Sequence, residues 1–249
     1  PSAEVERIPC VRDRDCEGQL TCGWDHFCGE DSRRKHWPGV EVSQGLGLVA
    51  SQGACSVPSQ ESAGFACYRE HDGAVYTGRP VYSNEPVAVG VAPTRVVLSY
   101  ERVLFYNTSV GLRLGYAFLG EGPTLPGGAE FVPYSAELAA RYWLGTDPFA
   151  RPGLRPFLQL GAGVAEHDVS FKLRVREDPL VAYGQGGNDL EQTLKVWKRA
   201  GDAFISIGAG ALYPFTESFG AVVEVSACQA FPFAATVASA GAGLRLGVR

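Results

Sequence analysis

From Ala238 to Val248 every even position is apolar (Ala238, Ala240, Ala242, Leu244, Leu246, Val248), while the odd ones are Ser239, Gly241, Gly243, Arg245 and Gly247. A period of two is the signature of a β-strand with two unlike faces. Glycine and a single arginine make a poor packed core. They suit the inward face of a narrow closed barrel whose other face meets lipid.

The same alternation predicts seven more strands. The first spans about Val40 to Ser51, with Val40, Val42, Leu46, Leu48 and Ala50 on the apolar face, interrupted once by Gln44, and with Glu41 on the other face. The second spans Val87 to Phe105. Its apolar positions are odd before Pro93 (Val87, Val89, Val91) and even after it (Val96, Leu98, Tyr100), so a β-bulge is predicted at Pro93. The third carries Val110, Leu112, Leu114, Tyr116 and Phe118, and the fourth Tyr134, Ala136, Leu138, Ala140, Tyr142 and Leu144, with Trp143 on its opposite face. The fifth shows Leu158, Leu160, Ala162 and Val164, the sixth alternates from Ala203 to Tyr213, and the seventh shows Ala221, Val223, Val225 and Ala227.

Eight strands joined by three short turns on one side and four loops on the other, two of them long, predict an all-β fold: an eight-stranded antiparallel up-and-down transmembrane β-barrel. Its long loops are expected to be extracellular and both termini periplasmic. The charged stretch from Lys172 to Arg199 reads either as a tall hairpin or as a partly helical loop. Phe105, Tyr142, Trp143, Phe149, Tyr213 and Phe215 read as an aromatic girdle near the turns.

A net charge of −5 argues against a nucleic-acid binder, which needs a basic footprint. No run of 18 apolar residues is available for a transmembrane helix, and this has no bearing on a barrel. The chain begins at Pro1 and contains no methionine; a mature form without its signal peptide is expected. Seven cysteines point to an oxidising compartment.

Cys10, Cys16, Cys22 and Cys28 fall at six-residue intervals, a spacing that leaves three pairings open. The C-x-x-D-x-D-C core from Cys10 to Cys16 resembles the short cysteine-rich repeats of Dickkopf-type modules and of secreted bacterial proteins. Zinc is the rival use of these residues, with His26 as an added ligand, but C-x2-C pairs are missing. Disulfides are therefore expected, and no metal. Residues 1–38 are read as a cysteine-rich periplasmic appendage and linker, too small to fold without bridges, and residues 39–249 as the barrel. Asp13, Asp15 and Asp25 read as solvated, and Trp37 as an interfacial anchor where the chain enters the membrane. Cys55 and Cys67 can close a 12-residue loop in the first long connection. Cys228 is the odd one, an inert buried thiol or a pairing site for another protein.

The charges that fall on inward positions are Arg95, Glu101, Arg113, Glu137, Arg141, Glu224 and Arg245. A barrel of eight strands is filled by its own side chains, and an isolated charge inside it is costly. An ion-pair network that stiffens the barrel is expected, in preference to an ion path or proton relay. His167, Asp168 and Ser170 supply the residue types of a hydrolase triad, yet neighbours on one strand point to opposite faces, so His167 reads as a solvated strand end. Glu177, Asp178, Asp189 and Glu191 could bind calcium but lack the glycine-containing loop spacing. No catalytic residue and no cofactor is expected.

The segments T-R-V-V-L-S-Y-E-R-V-L, V-G-L-R-L-G-Y-A-F and G-L-R-P-F-L-Q-L-G-A-G-V-A resemble those of small eight-stranded outer-membrane β-barrel proteins. The likeness is narrower still to myxobacterial barrel proteins that join a short cysteine-rich start to such a barrel. Ser239, Gly241, Leu244 and Leu246 look like the polar-x-Gly-x-x-apolar-x-apolar signal read by the barrel-insertion machinery, although the chain ends in Val248-Arg249 where that pattern has an aromatic. The resemblance implies a bacterial outer-membrane location and no established activity. The expected role is a non-enzymatic structural anchor or interaction component. Its expected partners are outer-membrane lipid and, through the appendage or the loops, other envelope proteins, with no nucleic acid. A small-solute pore is the alternative. A lipid-modifying outer-membrane enzyme ranks below it, and a soluble lipocalin-like carrier is disfavoured because its interior would be apolar.

Overall fold

The computed structural model describes residues 8–11, 15–16, 21–22, 27–29, 34–83, 86–105, 107–119, 123, 131–145, 148–149, 153–177, 191–232 and 234–248. His26, Asp13, Asp25, Asp178 and Asp189 lie outside the described residues. In the appendage two short strands, β1 (Thr21–Cys22) and β2 (Cys28–Gly29), pair with each other. Of the three pairings the spacing allows, Cys10 is joined to Cys22 and Cys16 to Cys28.

The rest of the chain runs through β3 (His36–Ala50), helix α1 (Val57–Ser62), β4 (Phe65–Arg69), β5 (Pro80–Ser83), β6 (Val87–Phe105), β7 (Thr108–Leu119), β8 (Tyr134–Trp143) and β9 (Arg155–Ala165). It continues through β10 (His167–Glu177), β11 (Glu191–Ala200), β12 (Ala203–Thr216), β13 (Phe219–Phe231) and β14 (Ala235–Leu246). Eight of these strands close a ring in the order β3, β14, β13, β12, β9, β8, β7, β6 and back to β3, every pair antiparallel. Ladder partners lead from Leu48 through Thr236, Gln229, Ile205, Ala162, Leu138, Leu112 and Tyr100 back to β3 at Pro38, a stagger of ten residues around the ring. Closure with such a stagger tilts the strands by about 35–45°.

Side-chain facing is inside out for a water-soluble protein. Leu112, Leu114, Ile205 and Leu246 are 42%, 49%, 58% and 51% exposed, whereas the inward-facing Arg113 and Arg245 keep 8% and 3%. Apolar groups outward and charged groups inward is the arrangement that a lipid solvent favours. The phase change at Pro93 is resolved as the alternation predicts. The β3–β6 ladder passes from Gln44↔Thr94 to Leu46↔Val91, leaving Ala92 and Pro93 opposite Gly45. This bulge strands the Ala92 carbonyl within the apolar belt, and Gln44 Nε2 donates to it at 2.6 Å while Thr94 donates to Gln44 Oε1. The one polar interruption of β3 thus repairs the bulge.

Beyond the ring, the stretch from Lys172 to Arg199 contributes to a hairpin. After Glu166, β10 leaves the line of β9, pairs along its length with β11 and meets the upper part of β6 at Ser170↔Val91; β4 adds to β11 and β5 to β10. Facing is reversed here. Phe171, Leu173, Val175, Leu194 and Val196 are buried, and they pack with Val49, Ala88, Ala230 and Val237 from the upper ends of the ring strands. Lys172, Arg174, Arg176 and Lys195 point outward. The Cys55–Cys67 disulfide closes the loop carrying α1 onto β4, and both cysteines are buried in this core. The result is a water-type cap with an apolar centre, seated on a lipid-type barrel with a polar centre. Val169 rests on Gly47 and Gly90, where any added side-chain carbon would collide with it.

Three of the expected membrane anchors lie inside instead. Trp37, Trp143 and Phe149 are 3%, 2% and 9% exposed and pack with Phe157, Leu212 and Val222 into a plug near the turns. The reason is parity: Trp143 shares the inward phase of Arg141, and Trp37 that of Glu41. Phe105, Tyr142, Tyr213 and Phe215 are exposed and supply the outward aromatics at this rim.

Candidate functional site

The lumen is the place where the chain collects its polar chemistry. Glu41 on β3, Glu101 on β6, Arg113 on β7, Glu137 and Arg141 on β8, Glu224 on β13 and Arg245 on β14 all sit in the inward phase of their strands. Arg113 Nη2 lies 3.0 Å from Glu41 and also meets Glu224, while its Nη1 is 3.3 Å from Glu137. Arg141 reaches Glu101 at 2.6 Å and Glu224 at 2.8 Å, and its Nε donates to Gln159 at 2.7 Å. Arg245 pairs with Glu41, donates to Ser99 Oγ at 2.6 Å and stands 3.8 Å from Glu101. Ser206 donates to Glu137 at 2.6 Å.

Four carboxylates therefore interleave with three guanidiniums, and each guanidinium meets at least two carboxylates. Buried ions withstand desolvation when opposite charges enclose them in this way; among the described residues the Nε atoms of Arg113 and Arg245 alone in this network find no acceptor. Glu41 was absent from the expected set, although its phase on β3 marked it as inward. Arg95 belongs to a different group. It lies nearer the cap and donates to the Glu166 carbonyl, while the Glu166 carboxylate pairs with Arg199 and accepts the Val132 N–H at 2.8 Å.

Above the network is a cavity of about 80 Å³ bordered by Arg95, Ser135, Glu137, His167, Ser226 and Cys228. It has room for a few waters. His167 is half-buried here, against the expectation of a solvated strand end, because β10 folds over the barrel mouth rather than projecting from it. Its ring meets Phe204 edge-on at 5.7 Å, and its Nε2 lies 3.9 Å from Cys228 Sγ. The Cys228 thiol opens onto this chamber. Of the acidic residues weighed as calcium ligands, Glu177 is buried and accepts Gln192 Nε2 at 2.7 Å, whereas Glu191 is exposed.

Below the network the aromatic plug closes the other end. Trp143 Nε1 donates to Ser109 Oγ at 2.8 Å, and Ser109 donates onward to Glu101. The Arg141 guanidinium lies 4.5 Å over Phe157, and that of Arg155 lies 5.8 Å and 5.4 Å from the Trp37 and Phe149 rings. Plug, ion network and capped chamber thus succeed one another along the axis.

Outside the membrane-facing ring, burial pushes the Lys198 ammonium down to about 8. Lys198 lies on the inner face of the cap, donates to the Ala63 carbonyl and sits 4.5 Å over the Phe65 ring.

No family model and no curated protein matches the chain. Among solved structures it is similar to Neisserial surface protein A, with 12% identity and a TM-score of 0.44 over 86% of this chain and 97% of that one. It is also similar to the N-terminal β-barrel domain of Pseudomonas aeruginosa OprF, with 15% identity and a TM-score of 0.36 over 84% and 97%. Ail, the attachment invasion locus protein of Yersinia pestis, overlaps at 10% identity and a TM-score of 0.35 over 86% and 98%. These overlaps are too loose to bear on function, and the fold stands on the closed strand ladder itself.

Proposed function

We propose that the chain is a non-enzymatic β-barrel of the bacterial outer membrane that works as a structural anchor and interaction platform. It would hold the cysteine-rich appendage, residues 1–38, at the turn rim in the periplasm and present the disulfide-bonded cap outside the cell. One observation carries this reading: the lumen is blocked at three levels, by the plug, the Glu41–Arg113–Glu224 network and the cap over His167, with a chamber of about 80 Å³ between network and cap. Conduction needs a continuous polar path that an ion can enter and leave. A barrel blocked in this way acts through its two ends. Both chain ends leave by one rim, where Val248 donates to the His36 carbonyl at 2.7 Å, and the long connections gather at the other, the asymmetry of outer-membrane barrels.

Planar-bilayer recording of the purified protein tests the reading, paired with co-purification from native membranes. No stepwise conductance is expected, together with a partner whose capture depends on the cap or the appendage. Ohmic steps whose size changes on substituting Glu224 would establish the small-solute pore in its place.

A further inference from the structure

The outer face of the cap carries an arrangement that folding alone does not call for. Lys172, Arg174 and Arg176 follow one another at every second residue of β10, about 7 Å apart, and Lys195 of β11 is the direct ladder partner of Lys172. Like charges directly opposite each other destabilise a sheet. Lys172, with 71% of its side chain exposed, has Glu70 as a partner, and Lys195 Nζ lies 5.2 Å over the Trp197 ring. Among the described residues, Arg174 and Arg176 meet no carboxylate within ion-pair distance, Arg174 standing opposite Thr193 and Arg176 opposite the exposed Glu191. Beside this stripe runs an open groove of about 540 Å³ bordered by Tyr68, Arg69, Glu70, Lys195 and Trp197, its one carboxylate, Glu70, being held by Lys172. Tyr68 is the ladder partner of Lys195 on β4, and Trp197 follows Lys195 two residues along β11, so both aromatics neighbour the cation.

We propose that this face binds a polyanionic polysaccharide, with Tyr68 and Trp197 stacking on a sugar ring in the groove and Lys172, Arg174, Arg176 and Lys195 meeting its sulfate or phosphate groups. Flat aromatic faces give a pyranose an apolar surface, and the neighbouring cations supply charge-assisted hydrogen bonds to the acidic substituents. The groove favours a free polymer over a lipid headgroup, because Tyr68 and Trp197 offer aromatic faces to sugar rings beside the cations. The inference rests on the platform reading and names the partner chemistry for its outer end.

The test uses the full chain in a zwitterionic nanodisc, with dextran sulfate as probe and uncharged dextran as control. Dextran sulfate binds, more weakly as salt rises from about 50 to 500 mM, and dextran does not. R174S/R176S/K195S weakens binding by about tenfold or more through lost charge-assisted contacts. Trp197→Ser weakens it by about threefold with the salt dependence unchanged, since the stacking term carries no charge. Slow Cys55–Cys67 reduction reports that each variant keeps its cap, and R174S alone serves if the triple variant does not. Absence of dextran sulfate binding, equal binding by the charge variants, or retention only on vesicles rich in anionic lipid would overturn the proposal. None of these outcomes touches the platform reading, which stands or falls on conductance.

Discussion

Glu41 and Glu137 both touch Arg113, but they differ in what their loss leaves behind. Glu41 is 1% exposed and also pairs with Arg245, whose remaining partners would be Ser99 at 2.6 Å and Glu101 at 3.8 Å. Glu137 has 13% of its side chain exposed and lies 3.3 Å from Arg113, which keeps both Glu41 and Glu224. Removing one member of a buried pair costs about 3–5 kcal/mol when the other charge is left uncompensated. Arg245 is only partly stripped, so Glu41→Gln is expected to cost about 3 kcal/mol. Glu137→Gln brings the network to equal numbers of carboxylates and guanidiniums and should cost about 1 kcal/mol or less. Equilibrium urea unfolding in lipid vesicles, followed by the emission of Trp37 and Trp143 in the plug, reads the difference. The Glu41→Gln midpoint should fall by about 1 M or more, with Glu137→Gln close to the parent protein. Equal shifts, or the reverse order, would refute the view that each carboxylate's worth is set by the guanidinium it leaves alone.

Gly47→Ala places a methyl where the Val169 side chain sits and should lift β10 from the barrel mouth, seen as faster proteolysis of the cap; Val169→Ala in the same chain should restore much of the resistance. Gln44→Leu suits the lipid-facing position by polarity but abandons the Ala92 carbonyl of the bulge, so a loss of about 1–3 kcal/mol is expected in the same urea assay. Lys198 ionises at about 8 in the closed cap against the usual 10.5. Between those values the opened cap binds a proton that the closed cap lacks, so closure is weakest below pH 8 and strengthens as pH rises through the window. Reduction of Cys55–Cys67 by a phosphine should accordingly slow from pH 8 to 10, and Lys198→Met should flatten the trend.

Strand parity was the most informative property of the sequence. It located the eight ring strands, the bulge at Pro93 and the inward phase of Arg113, Arg141 and Arg245, because in a barrel every second side chain is committed to one solvent. Where parity and composition disagreed, parity prevailed. Trp143 reads as a girdle residue by type and as an inward one by phase, and it is buried. Glu41 carries the same mark, and its partners Arg113 and Arg245, 72 and 204 residues away, are beyond any local pattern. The cap was half legible. Phe171 to Glu177 alternates as cleanly as any ring strand, but with charge on the phase that continues the barrel's lipid face. What no local pattern could reveal is that β10 turns across the mouth to meet β6, since that depends on Val169 finding the bare backbone of Gly47 and Gly90 on the far wall.

The ring closes through β14, which lies between β13 and the first ring strand, β3. Before β14 is in place, β3 and β13 each present an open row of backbone donors and acceptors, which hydrocarbon does not tolerate. The cylinder therefore cannot close until β14 has been made. Its first and last wall segments must be held apart, and kept from pairing with other chains, until the final staves arrive.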